Sequence, residues 1–65
     1  MDLIVQQATD SKIIGVLRYI TYIPRIGECI TMIINGDYDT FKIEELFYMY
    51  NESGDLTEIV VYIDR

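Results

Sequence analysis

Apolar and polar positions alternate most clearly near the end of the chain. Ile59, Val61 and Ile63 fall on one side of an extended segment, and Glu58, Val60 and Tyr62 on the other. This period of two predicts a strand over residues 56 to 63 with its isoleucine side in the core. Comparable runs predict strands near residues 2 to 7, 12 to 23, 29 to 34, 38 to 43 and 45 to 50. Turn-forming clusters punctuate them at Thr9-Asp10-Ser11, Pro24-Arg25-Ile26-Gly27, Asn35-Gly36-Asp37 and Asn51-Glu52-Ser53-Gly54-Asp55. Asn35-Gly36 is the strongest hairpin signal, because both central residues of a type I′ turn need positive φ, which Asn and Gly tolerate best. It predicts that residues 29 to 34 pair with 38 to 43.

Two stretches depart from a simple pattern. In residues 12 to 23, Val16, Ile20 and Tyr22 share one face while Leu17, Tyr19 and Ile23 share the other, so both faces carry apolar bulk. Only one can face a core, which makes the second a candidate subunit interface. In residues 43 to 50, Ile43, Leu46, Phe47 and Tyr50 also fit helical spacing, and Glu44-Glu45 suits a helix N-terminus, so a short helical turn is the alternative there. Strand is favoured, since the segment is short and its aromatics are better strand formers. A bend near Glu44-Glu45 would carry one long strand around a barrel corner. Short strands and tight turns in so small a chain predict an all-β fold, a five-stranded meander curled into an SH3-like barrel.

Composition agrees with strands. Twelve isoleucines, six tyrosines and five threonines accompany a single alanine, and branched and aromatic side chains suit a pleated, half-buried surface. The 65 residues allow one domain, 1 to 65. A chain this short buries only about 60% of its unfolded surface, so some additional stabilisation is expected. With Cys29 as the only cysteine and no histidine, an internal disulfide and a Cys/His zinc site are excluded, leaving self-association. A reducing, cytoplasmic setting is expected. Asp2 directly after Met1 gives no basic lead into an apolar segment, and the run from Ile13 to Ile23, interrupted by Gly15 and Arg18, falls short of the ~20 residues of a membrane-crossing helix. Neither a secretory signal nor a membrane partner is therefore expected. Eleven acidic against five basic residues give a formal charge of −6, which repels phosphate backbones and argues against direct nucleic-acid binding. The same charge serves solubility, or docking on a basic protein surface.

Candidate chemistry centres on Pro24-Arg25-Ile26-Gly27-Glu28. Here proline is expected to set φ at the first corner position and glycine to supply positive φ. Arg25 is the guanidinium expected to project from this turn, where its planar fork suits a carboxylate or phosphate. Glu28 is the alternative partner, neutralising it as a surface pair. Tyr19 and Tyr22, close to Arg18 and Arg25, offer rings for stacking a base while the arginines meet its phosphate. The plainer reading makes these tyrosines core or interface residues. The Asn35-to-Asp39 and Asn51-to-Asp55 segments lack the ligand spacing of a calcium loop and read as turns. Without histidine there is no Ser-His-Asp or Cys-His arrangement. Cys29 lies in an apolar run where a thiol is usually inert, and Glu44 and Glu45 should point to opposite faces of a strand. The chain reads as a non-enzyme with no cofactor.

Residues 18 to 63 resemble a loose group of short all-β proteins of phage and prophage type. The shared features are the apolar strand Tyr19 to Ile23, the Pro24-to-Glu28 turn, the Asn35-Gly36 hairpin, the strand Tyr38 to Ile43 and the alternating Glu58 to Ile63. The resemblance implies a small viral-type accessory protein and brings no functional residues with it. Three functional versions follow. In the first, a homo-oligomer interface forms pockets where Arg25, Arg18, Tyr19 and Tyr22 hold a small anionic, nucleotide-like ligand, withdrawn from a host defence system. In the second, the acidic surface docks on a basic host protein, mimicking nucleic acid. In the third, the chain is a structural or assembly component.

Overall fold

A computed structural model describes residues 2–64. Five strands form: β1 (Asp2–Gln7), β2 (Ile13–Leu17), β3 (Cys29–Ile34), β4 (Asp37–Tyr50) and β5 (Leu56–Ile63). The fold is all-β, one curled half-barrel sheet with the strand order β2-β1-β5-β4-β3. Among the described residues there is no helix, and so none long and apolar enough to cross a membrane. The connectivity is a β1–β2 hairpin and a β3–β4–β5 meander, joined where β1 runs parallel to β5 from Asp2↔Glu58 to Gln7↔Ile63. The sheet is thus not one continuous meander, because β3 does not follow on beside β2.

β5 sits at the centre, which explains its alternation. Ile59, Val61 and Ile63 are fully buried on the inner face together with Leu3, Val5, Phe41 and Ile43. Burying each such side chain stabilises by roughly 1.5–3 kcal/mol. Ladder partners share a face, so the core is laid out in rows across the strands. One row runs Leu17, Leu3, Ile59, Tyr48, and the next Gly15, Val5, Val61, Leu46.

Residues 43 to 50 are strand, and the helical turn is absent. β4 continues through all fourteen residues, which laid straight would span about 46 Å at ~3.3 Å per residue. The longest dimension of the whole molecule is only 39 Å. The bend comes from irregularities in the β4–β5 register between Ile43 and Glu45 and between Met49 and Tyr50. Helical spacing would have put Leu46 and Phe47 on one face. The ladder instead sends Leu46 to the core and Phe47 to the opposite side, opposite Val60.

The second strand is much shorter than residues 12 to 23. Its register places Leu17 opposite Leu3, and β1 begins at Asp2, so the ladder that would hold residues 20 to 23 extended is missing. Tyr19 adopts φ 55° and turns the chain out of the sheet. The expected second apolar face of Leu17, Tyr19 and Ile23 therefore does not form as a strand face. The curl of the sheet brings β2 toward β3 without pairing them, for no Cα of one lies within 8 Å of the other. A side chain spans the gap: the Met32 methyl lies 2.6 Å from where a Cβ on Gly15 would be.

Candidate functional site

The four residues expected to hold an anion all lie at the end of β2 or in the connection to β3; Glu28 brings Tyr22 and the Arg25 backbone together, while Arg18 pairs with Asp2 instead. Arg18 follows Leu17 and reaches back to Asp2 on the neighbouring strand, Nη1 to Oδ2 at 3.2 Å. Tyr19 is 90% exposed. The Tyr22 hydroxyl donates to the Glu28 carboxylate, 3.1 Å from either oxygen. The Arg25 guanidinium has no carboxylate partner among the described residues.

The turn itself differs in detail from expectation. Glu28 N–H donates to the Arg25 carbonyl at 3.0 Å, which makes Ile26 and Gly27 the corner residues, with Gly27 at φ 90°. Positive φ at the third residue is the pattern of a type II turn. Pro24 precedes this turn and is buried, so it anchors the loop instead of setting its corner. Gly27 N–H donates to the Ile43 carbonyl and Ile43 N–H to the Glu28 carbonyl, both at 2.9 Å. Two residues thus oppose one, a glycine bulge that starts the β3–β4 ladder. Glu28 does not neutralise the Arg25 guanidinium; its Oε1 accepts the Arg25 backbone N–H at 2.6 Å. One carboxylate thereby ties Tyr22, Arg25 and the turn together, leaving the guanidinium free to project.

The other polar turns are used internally. Asn51 Oδ1 accepts the N–H groups of Ser53 and Asp55 at 2.9 and 3.0 Å. Asp10 Oδ1 accepts Gln7 Nε2 and the Lys12 N–H, both at 3.0 Å. These bonds, the one from Gln7 first, hold the Asp10 carboxyl below the ordinary aspartate range. No cluster of three or more metal-ligating side chains occurs among the described residues. Cys29, read as a thiol within an apolar run, is free and exposed at the start of β3.

The more continuous surface is the outer face of the sheet, which residue-by-residue reading did not assemble. Three rows cross it. The middle row is wholly apolar: Val16, Ile4, Val60 and Phe47 on β2, β1, β5 and β4. On one side lies a row of Asp2, Glu58 and Met49; on the other, Gln6, Tyr62 and Glu45. Val60 is only 7% exposed, shielded by its neighbours, whereas Phe47 and Met49 are 43% and 44% exposed. Phe47 and Tyr62 meet edge to face, with centroids 5.5 Å apart at 89°, the geometry favoured by ring quadrupoles. Ile4, Gln6, Phe47, Met49, Glu58, Val60 and Tyr62 line a shallow groove of about 360 Å³. The outward Val60 and Tyr62 were readable from the alternation of β5; their neighbours Ile4 and Phe47 required the register.

In comparisons with known proteins, no protein family, curated protein or solved structure matches the chain.

Proposed function

We propose that the chain is a non-enzymatic binding protein that docks on another protein through the outer face of β1, β5 and β4. The observation that carries this reading is the unbroken apolar row Val16, Ile4, Val60, Phe47 flanked by Asp2, Glu58 and Glu45. Exposed apolar area with a polar rim is characteristic of recognition surfaces. Asp2 is already paired with Arg18, so Glu45 and Glu58 leave an acidic margin. The complementary partner presents an apolar ridge bordered by lysine or arginine, and the carboxylates steer it into register. The resemblance of residues 18 to 63 to phage-type proteins is the ground for taking that partner to be a basic host protein, with the chain acting as its antagonist.

Sequestration of a small anion fits less well. Arg18 is engaged by Asp2 and Tyr22 by Glu28, and neither described concavity is lined by Arg18, Tyr19, Tyr22 or Arg25. That reading needs a second copy to complete a pocket around Arg25.

The test is photocrosslinking in cells expressing the chain, from a probe replacing Phe47 and, as control, one replacing Glu52 in the exposed β4–β5 loop. The Phe47 probe should trap a peptide with apolar residues next to Lys or Arg, and the yield should fall as salt rises. Equal trapping from both positions, or a trapped segment that is acidic, would sink the reading.

A further inference from the structure

The sheet leaves two edges open, and only one of them is blunted. β2 has five residues, its register with β1 slips between Val5 and Gln6, and the Met32 methyl lies over Gly15. Shortness and bulging are devices that keep edges from pairing. β3 has neither. Its six residues, Cys-Ile-Thr-Met-Ile-Ile, include no charge, proline or glycine, and they stay in unbroken register with β4 from Cys29↔Lys42 to Ile34↔Asp37.

The ladder decides which backbone groups of β3 are unpaired. Ile43 N–H bonds to the Glu28 carbonyl, and the two-residue turn closes on Ile34 opposite Asp37. Hydrogen-bonded pairs alternate along an antiparallel ladder. Glu28, Ile30, Met32 and Ile34 therefore direct their backbone groups to β4, while those of Cys29, Thr31 and Ile33 point away from the sheet. The side chains of these three residues are exposed on the outer face, Ile33 at 64%, whereas Ile30, Met32 and Ile34 pack on the core.

We propose that β3 pairs antiparallel with β3 of a second copy of this chain, about a two-fold axis at Thr31, joining two half-barrel sheets into one. A one-residue slip would put core-facing side chains of one copy beside outer ones of the other. Pairs must also be drawn from residues whose backbone groups are open. Centring on Thr31 satisfies both conditions with all three residues used, Thr31 opposite Thr31 and Cys29 opposite Ile33 of the second copy. A shift of two in either direction uses fewer.

Charge favours a second copy as the occupant. In a chain of formal charge −6, residues 29 to 36 carry no charged side chain, so two copies meet there without apposing carboxylates. The outer face, with Asp2, Glu45 and Glu58, repels its own image. The β3 edge is a different surface from the docking face, and each proposal can fail without the other.

Sedimentation velocity of the full chain at micromolar concentration should show a dimer. Thr31→Lys should give a monomer with unchanged far-ultraviolet circular dichroism, because two ammonium groups would meet at the axis while the backbone ladder to β4 stays in place and only the exposed Thr31–Thr40 hydroxyl contact is lost. If that variant unfolds, a Cys29→Ser/Thr31→Cys chain decides. Opposed residues of an antiparallel pair lie about 5.5 Å apart at Cα, within disulfide range. This chain should form an intermolecular disulfide faster than wild type, whose Cys29 faces an isoleucine. A monomeric wild type, a folded Thr31→Lys chain that stays dimeric, or a Thr31→Cys chain that cross-links no faster than wild type would each overturn the proposal.

Discussion

The two hairpins that end in the free edges of the sheet are specified in opposite ways. β3–β4 is local: Asn35 and Gly36 take φ 53° and 85°, and the ladder runs without a break from the turn to the glycine bulge. β1–β2 depends on help from elsewhere. Its longer connection is held by the Asp10 side chain and passes through Ser11 at φ 59°. Its second strand slips register, and Gly15 lies under a side chain from β3. The difference teaches that regularity and edge protection conflict. The hairpin whose register is set by its own turn leaves an open template, while the irregular one is shielded by its irregularity.

The comparison breaks most visibly at Met32. This side chain packs on the core and bridges the two hairpins, so Met32→Ala should cost about 2 kcal/mol, the lower end of the range for such truncations because the residue is half-buried. A chain of this size has about 3–10 kcal/mol of stability in all, so the loss is large. Urea denaturation gives the total, and hydrogen exchange should show protection falling more in β2 than beside the Asn35-Gly36 turn. An equal fall in both would mean that β2 does not lean on Met32.

The turn of β3–β4 supplies the next effect. Gly36 has φ 85°, and the space a Cβ would occupy there has no neighbour within 4 Å, so Gly36→Val should cost on the order of 1–2 kcal/mol from backbone strain alone. The cost should appear as lower protection at Ile34 and Asp37 with β1–β2 unchanged. A denaturation midpoint equal to wild type would show that the turn accommodates the change and is not what fixes the hairpin.

The smallest effect is confined to the β1–β2 connection and depends on pH. The hydrogen bonds from Gln7 and Lys12 lower the folded-state pKa of Asp10 below its ordinary 3.8. Because the folded value is the lower one, the contribution to stability is complete above the ordinary aspartate range and is lost as pH falls through the folded value. Protection of the Lys12 N–H against exchange, relative to an unstructured amide at the same pH, should fall across that acid window in wild type, with no such step in Asp10→Asn. A step retained in Asp10→Asn would assign it to another carboxylate.

Much of this asymmetry was written locally in the chain. The alternation of Ile59, Val61 and Ile63, the Asn35-Gly36 turn and the bend by Glu44 all act through near neighbours, and all are found as read. What escaped depends on distance in sequence. The parallel pairing of β1 with β5, which sets Ile4 beside Val60, has no local signature, and neither does the β1–β2 register that stops β2 near Leu17 and brings Arg18 to Asp2. Without these registers Tyr19 and Tyr22 look like strand residues, and the outer apolar row cannot be assembled. The use of Glu28 was hidden for another reason: a carboxylate three residues after an arginine suggests an ion pair, yet the backbone N–H of Arg25 lies closer to hand once the turn closes.

The central position of β5 also bears on how the protein is made. Synthesis delivers the two hairpins first and the strand between them last. Until Leu56–Ile63 has emerged, β1–β2 and β3–β4 have no shared core, because Ile59, Val61 and Ile63 supply its middle. Isolated two-stranded hairpins are marginal in water, and pairing the first strand with the last requires closing nearly the whole chain into a loop. The nascent polypeptide should therefore stay unfolded until β5 is available and then fold in a single step, and before that step the uncharged β3 segment is exposed to its neighbours.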